Sequence, residues 1–151
     1  MNALTVGQTS KMFEFLPQNL QGTICKNFDN VRKHEMIKYM KVLTLYRNVC
    51  AHSERLFSYR THKDIPDTVL HGKLNILKSG TKYNKGKNDL FSVVIALRYL
   101  LPKEDFAIFK NQLIKLLKHY SNTSHPIATN ILYEHMGFPE NWQHITKFRK
   151  I

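Results

Sequence analysis

The sequence predicts an all-α helical bundle. Long stretches place apolar residues at three- and four-residue steps, which is the period of a helix packed on one side. No stretch of any length alternates apolar and polar residues, so β-strands are not expected. Proline, glycine or helix-capping residues stand between the periodic stretches. With 151 residues, 42% of them hydrophobic, the chain is expected to form one domain with its own core.

Three helices are expected in the first third of the chain. Thr9 or Ser10 can cap a short helix that Pro17 ends, and a second short helix is expected at about residues 20–28. The third helix, from about residue 30, is the longest. Its expected buried face consists of Met36, Met40, Leu43, Tyr46 and Cys50.

Residues 64–87 hold several glycines and lysines and no sustained period, which predicts a mobile basic loop. Order is expected to return with a helix that starts at Asn88 and Asp89. Its expected buried face consists of Leu90, Val93, Val94, Leu97, Leu100 and Leu101.

Two further helices are expected beyond Pro102. The first covers residues 104–120, and the second has Pro126 in its first turn and stops at Gly137. The residues expected inside are Phe106, Phe109, Leu113, Leu116, Leu117 and Tyr120 on the first and Ile127, Ile131, Leu132 and Met136 on the second.

The charge indicates the kind of partner. Lys and Arg number 23 against 11 Asp and Glu, a formal net charge of +12. Such an excess favours nucleic acid, an anionic membrane surface or an acidic protein. No apolar run approaches membrane-spanning length, and the first residues do not resemble a signal peptide, so a cytoplasmic protein without a membrane partner is expected. Cys25 and Cys50 are expected to be reduced thiols.

A candidate catalytic motif lies near the end of the long helix, where Arg47, Asn48 and His52 follow an Arg-Asn-x-x-x-His spacing. An arginine followed closely by a histidine is a weak pattern by itself, and Arg55 with His62 is a second match. On a helix Asn48 and His52 share one face, whereas Arg47 lies roughly 140° around the axis from His52. The reach of the arginine side chain, a helix break or a second copy of the helix would each close that gap.

Other site types find little support. Cys50 and His52 stand too close together for a zinc site, and His119 and His125 lack cysteine or acidic partners at ligand spacing, so no metal site is expected. The sequence has no Gly-x-x-x-x-Gly-Lys loop and no Gly-x-Ser-x-Gly elbow. Nucleotide hydrolysis and acyl transfer are therefore not expected, and neither is a cofactor.

Five cationic residues outside the motif are candidate contacts for nucleic acid, RNA included, because such side chains neutralise phosphates. They are Arg55, Arg60, Lys82, Lys85 and Lys87. For each, a solvated basic surface is the alternative, and for Arg55 also a salt bridge. His52 can equally be an ordinary helix-surface or capping histidine, and Asn48 a packing amide.

Leu45-Tyr-Arg-Asn-Val-Cys-Ala-His52, followed by Arg55-Leu-Phe57, resembles the signature of the Abi-like abortive-infection proteins of the AbiF/AbiD group. These belong to the HEPN superfamily of helical-bundle ribonucleases. Residues 88–91 (Asn-Asp-Leu-Phe), 100–102 (Leu-Leu-Pro) and 136–142 (Met-Gly-Phe-Pro-Glu-Asn-Trp) are also similar to that family. The resemblance thus runs from about Thr5 to Trp142.

The resemblance implies that residues 1–151 form one HEPN-like domain that corresponds to the C-terminal portion of longer family members. It also implies a homodimer with a composite active site built from the Arg-Asn-x-x-x-His segments of both subunits. The implied activity is metal-independent cleavage of single-stranded RNA in anti-phage defence or a toxin–antitoxin system, with an antitoxin RNA or protein as a further partner.

The residue types suit this reaction. RNA is cut when its own 2′-hydroxyl attacks the adjacent phosphorus, which requires proton transfer and charge stabilisation but no metal. His52 can exchange protons at neutral pH, Arg47 can bind phosphate oxygens, and Asn48 can orient the imidazole or the 2′-hydroxyl. The alternatives are a non-catalytic RNA-binding module and a protein-docking module.

Overall fold

The computed structural model describes residues 4–29, 31–123 and 127–148. Over these ranges the chain forms seven α-helices: α1 (Val6–Phe15), α2 (Gln18–Lys26), α3 (Lys33–Ala51), α4 (Val69–Lys73), α5 (Leu90–Leu100), α6 (Lys103–Ser121) and α7 (Thr129–Met136). The two-residue strands β1 (Lys78–Ser79) and β2 (Lys82–Tyr83) pair as an antiparallel hairpin, and a 3-10 helix covers Trp142–Thr146. The predicted all-α class is confirmed, with this hairpin as the exception.

The first helix begins earlier than predicted, because Thr5 and not Thr9 or Ser10 caps it. The Thr5 hydroxyl accepts the Gln8 N–H at 3.2 Å, and the Gln8 side-chain oxygen accepts the Thr5 N–H at 2.8 Å. This reciprocal box satisfies two backbone donors, so the helix starts one residue after Thr5. Ser10 consequently lies within α1 and is buried.

Helix α3 is the centre of the bundle and packs against α1, α2 and α5. Its buried residues are Met36, Tyr39, Val42, Tyr46 and Val49. Of the predicted face, Met40 and Leu43 are half-buried against the core, and the prediction was wrong at Cys50, which is exposed. Apolar residues surround much of this helix, so several stripes fit its sequence and the neighbouring helices select one. Cys25 and Cys50 are free thiols, as predicted.

The prediction of a mobile loop over residues 64–87 was wrong. The segment contains α4 and the hairpin, and its buried apolar residues are Ile65, Leu70, Leu74 and Ile76. His71 anchors it: the Thr68 N–H donates to His71 Nδ1 at 3.1 Å, and His71 Nε2 bonds to the Gly86 carbonyl at 2.9 Å. The Tyr83 ring stacks on the imidazole with a centroid distance of 4.7 Å. These contacts join residues that are irregularly spaced in sequence, so they leave no periodic signal.

Helix α5 starts where predicted, because the Asp89 side chain accepts the Ser92 N–H at 3.0 Å. Its burial differs from the prediction, which named one stripe. The helix is buried around most of its circumference, at Phe91, Ser92, Val94, Ile95, Ala96, Arg98 and Tyr99. Of the predicted stripe, Val94 is buried, and the remaining residues are half-buried against the core.

For α6 and α7, the predicted helix ends agree with the structure better than the predicted buried faces do. On α6 Phe106 and Leu117 are buried, but Leu116, predicted inside, is 64% exposed. Helix α7 ends at Gly137, which has a φ of +74°, as predicted. Ile131, also predicted inside, is 48% exposed, and the predicted Pro126 start lies outside the described residues.

Aromatic packing closes the core beyond α7. Phe138 contacts Phe91 and Trp142 with ring centroids 5.0 Å apart in both pairs, and Trp142 is fully buried at the start of the 3-10 helix. The C-terminal residues therefore cover α5.

Along the described chain, no helix is both long and apolar enough to cross a membrane.

Candidate active site

The motif lies at a helix end that backbone hydrogen bonds close. His52 caps α3, and its N–H donates to the Asn48 carbonyl at 3.0 Å. Ser53 then takes a left-handed conformation, with a φ of +53°. The Ser53 N–H donates to the Cys50 carbonyl at 3.3 Å, and the Glu54 N–H to the Val49 carbonyl at 3.1 Å. This is a Schellman motif with serine in place of the usual glycine, and it fixes the position of His52.

The side chains of Arg47, Asn48 and His52 are all exposed. Within the described ranges, none of the three forms a hydrogen bond or an ion pair. Helix α3 runs unbroken through Ala51, so no helix break closes the angle of roughly 140° between Arg47 and His52 that helical geometry gives. The three residues are available to a ligand, but a single chain presents them on two flanks of α3.

Arg47 borders an apolar groove of about 290 Å³ between α3, α5 and α6. Its lining includes Leu43, Leu56, Val93 and Leu113. Among the described lining residues, Arg47 is the one that carries a charge. Asn48 and His52 are not part of this lining. The arginine therefore stands at an open hydrophobic surface on one side of the motif.

The segment that follows the motif is tied to the start of α5. The Tyr46 hydroxyl donates to the Tyr59 carbonyl at 2.9 Å and lies 3.2 Å from the Asn88 carbonyl. The Thr61 N–H donates to the same Asn88 oxygen at 2.8 Å. Burial raises the pKa of Tyr46, so the phenol remains a donor at neutral pH. Tyr46, the residue beside Arg47, thus holds α3, the loop after it and the start of α5 in one arrangement.

Each of the other predicted RNA contacts has a partner in the structure. The Arg55 guanidinium lies 5.9 Å from the centre of the Phe57 ring, and Arg60 Nη1 is 3.9 Å from a carboxylate oxygen of Asp89. Lys82 pairs with Asp64 at 3.2 Å.

Lys85 and Lys87 differ in how far they remain accessible. Lys85 pairs with Glu134 at 2.5 Å on the surface. Lys87 is only 8% exposed, and its ammonium group donates to the Ile65 carbonyl and to Asp67. That ammonium is held inside the fold, so Lys87 does not present it to a phosphate at the surface.

Asp89 is a buried acid that the sequence indicated only as a helix start. Its side chain accepts the N–H groups of Gly86 at 2.8 Å and Ser92 at 3.0 Å, and Arg60 approaches from the surface. Burial is the main influence and raises the pKa of Asp89 to about 6. The acid therefore connects Arg60 and the loop after the motif with the start of α5.

Among the described residues, no group of three or more His, Cys, Asp and Glu side chains could hold a metal ion. His125, considered above with His119, lies outside them.

The family model of the Abi-like proteins matches residues 1–58. This part contains α1, α2, α3 and the whole Arg47-to-His52 motif, so over these residues the chain is similar to the Abi-like proteins. The similar stretches at 88–91, 100–102 and 136–142 lie outside the matched part. No curated protein and no solved structure matches the chain.

Proposed function

We propose that the chain is an Abi-like endoribonuclease of the HEPN type, which cleaves single-stranded RNA without a metal in anti-phage defence or a toxin–antitoxin system. The observation that carries this proposal is the motif at the end of α3. Its arginine, asparagine and histidine side chains are exposed and free of internal partners within the described chain. The net charge of +12 supplies long-range attraction for RNA.

The chemistry follows from the residue types. The 2′-hydroxyl of the RNA attacks the adjacent phosphorus, the bond to the 5′-oxygen of the next nucleotide breaks, and a cyclic phosphate and a free 5′-hydroxyl result. His52 accepts or supplies a proton in this step, and Arg47 binds the phosphate oxygens as their negative charge grows. Asn48, four residues before His52 and on the same face, orients the imidazole or the 2′-hydroxyl.

A second copy of the chain completes the site in this proposal. Arg47 stands beside the apolar groove, while His52 lies roughly 140° away on the same helix. Leu116, 64% exposed on α6 close to the groove residue Leu113, adds apolar surface that a partner would cover. Two-fold pairing over the groove brings the motifs of both subunits to one interface, which is the symmetry of most homodimers.

Cleavage of a labelled single-stranded RNA tests the activity. Cleavage is expected to survive strong chelators and to yield the cyclic phosphate, and a deoxyribose immediately 5′ of the scissile phosphate should block it. His52→Ala and Arg47→Ala should each lower the rate by about 100-fold or more. His34→Ala, which removes an exposed histidine at the other end of α3, is the matched control. Full activity of the His52→Ala protein, or loss of activity on chelation, would contradict the mechanism.

Mixing subunits tests the composite site. If one site needs His52 of both subunits, equal amounts of normal and His52→Ala chains should leave about a quarter of the activity after random pairing. Independent sites would leave half, which would count against a site that needs both copies of His52.

The second candidate is an RNA-binding or protein-docking module without catalysis. The separation of Arg47 and His52 on one unbroken helix favours it, if the chain acts as a monomer. RNA binding without cleavage would identify the binding module. Absence of RNA affinity at low salt would leave the docking role.

A further inference from the structure

A second cleft, of about 470 Å³, opens between α1, α3 and residues 62–63. Its volume lies within the range of roughly 300–1,000 Å³ that is common for small-molecule sites. Lys41, Thr44 and Leu45 of α3 line it. Lys41 and Leu45 lie within about 20° of His52 around the helix axis, so the cleft and the histidine of the motif open on the same flank of α3.

The cleft carries uncompensated positive charge. Lys11, Lys41 and Lys63 line it, together with the single acid Glu14. Lys41 pairs with Glu14 at 2.7 Å, which neutralises both. Lys11 and Lys63 form no ion pair within the described residues. Two ammonium groups therefore remain for an anionic ligand.

The hydroxyl of Ser10 is available to a ligand in the cleft. Ser10 lines the cleft, and in the described part of the chain its hydroxyl makes no hydrogen bond. A polar group of a ligand can therefore bind it without displacing an internal partner. The surface of the cleft is mostly apolar, with Leu45 among its lining residues, and such a surface can pack against the face of a base.

We propose that this cleft binds a nucleotide of the RNA substrate away from the cleaved bond, with its phosphates on Lys11 and Lys63 and a polar group on Ser10. The inference rests on the proposed function, because it takes the cleaved RNA as the ligand. Thr44 and His52 are about 12 Å apart along the axis of α3, since each helical residue advances about 1.5 Å. At about 3.4 Å per stacked nucleotide, that distance corresponds to roughly three or four nucleotides.

Affinity measurements with matched charge variants test the proposal. All variants are made in the His52→Ala protein, so that a fluorescent single-stranded RNA of about 12 nucleotides stays intact, a length within common single-strand site sizes. The double variant Lys11→Gln/Lys63→Gln is expected to bind this RNA about tenfold more weakly. The slope of log affinity against log salt concentration should become shallower by about 1.4, the value for two phosphate contacts on a single strand. Lys115→Gln/Lys118→Gln, on the exposed side of α6, removes the same charge and should cost less than about threefold.

Ser10→Ala tests the hydroxyl without altering the charge or the fold, since that hydroxyl has no partner in the described chain to lose. RNA affinity should fall about fivefold with an unchanged salt slope, as expected for one lost hydrogen bond. Ser79→Ala on β1 is the matched control and should have no effect.

Adenosine monophosphate serves as the probe for a free nucleotide. If it binds in a Lys11-dependent way and does not compete with RNA, the cleft is a separate nucleotide site and the proposal fails. Equal affinities of the two lysine double variants would likewise overturn it, while leaving the nuclease proposal intact. Loss of RNA binding in every variant, controls included, would instead overturn the proposed function on which it rests.

Discussion

The carboxylate of Asp89 lies directly against the α-carbon of Gly137. A Cβ at Gly137 would overlap three side-chain atoms of Asp89, and the φ of +74° at Gly137 disfavours any L side chain there. The same carboxylate accepts the N–H groups of Gly86 and Ser92. One buried acid thus joins the end of α7, the start of α5 and the segment before it.

Gly137→Ala should consequently destabilise the fold by about 3 kcal/mol or more, because it adds a steric overlap to the strain of a left-handed alanine. Gly80→Ala is the control, since Gly80 also has a positive φ, +63°, but nothing lies within 4 Å of its added Cβ. That control should cost about 1 kcal/mol. Urea unfolding of the two variants gives the comparison, and equal losses would contradict the contact between Asp89 and Gly137.

Ser53→Gly should stabilise the protein by about 0.5–1 kcal/mol, because glycine adopts the left-handed conformation at the end of α3 without strain. Part of the gain is offset by the greater freedom of glycine in the unfolded chain. Ser58→Gly is the control, since Ser58 is not among the residues with positive φ, and it should be neutral or destabilising. Thermal unfolding monitored by circular dichroism measures both, and a lower midpoint for Ser53→Gly would count against the assigned helix end.

His71 should make the fold acid-sensitive. Burial lowers the pKa of His71, so below about pH 6.5 the unfolded chain binds a proton that the folded chain refuses. The stability that His71 contributes is therefore complete above about pH 6.5 and is lost as the pH falls through the pKa of His71 in the folded protein. Urea unfolding of normal protein and His71→Gln between pH 7 and pH 5 should show a loss that the variant lacks. Parallel pH profiles would contradict a buried neutral imidazole.

Asp89 should have the opposite effect on the pH dependence of stability and make the fold more stable at acidic pH. Its pKa in the folded protein is about 6, against an ordinary value of 3.8, so the folded chain binds the proton more strongly between these values. The resulting stability is present at about pH 4 and is lost as the pH rises through about 6. Relative to Asp89→Asn, the normal protein should lose about 2–3 kcal/mol between pH 4 and pH 7. Carboxyl titration by NMR gives an independent check, and a midpoint near 4 would refute the shift.

Leu116→Glu should weaken self-association, because it places a charge on the apolar surface beside the groove. Ile108→Glu is the matched control, since Ile108 is 58% exposed on the same helix but lies roughly 140° around the axis from the groove residue Leu113, against about 60° for Leu116. Analytical ultracentrifugation should show the normal chain and the control as dimers and Leu116→Glu shifted towards monomer. A normal chain that stays monomeric at high micromolar concentration would contradict the pairing.

Local chemistry is what the sequence determined by itself. Asp89 begins α5 and Gly137 ends α7 as predicted. Both signals are local, because a side-chain cap and a left-handed glycine each form their hydrogen bonds with residues only a few positions away. The same holds for the place of Arg47, Asn48 and His52 near the end of the longest N-terminal helix. Helical period and helix-end signals suffice for these features, since both are properties of neighbouring residues.

The tertiary structure alone decided which of several apolar stripes is buried. Tyr39 and Val49 of α3 face the core, whereas Cys50 is exposed, because α1, α2 and α5 cover one side of the helix. Residues 64–87 fold around His71, and Lys87 turns inward to Asp67, through contacts between residues far apart in sequence. Such contacts depend on the simultaneous packing and desolvation of many groups, so no short stretch of sequence contains them.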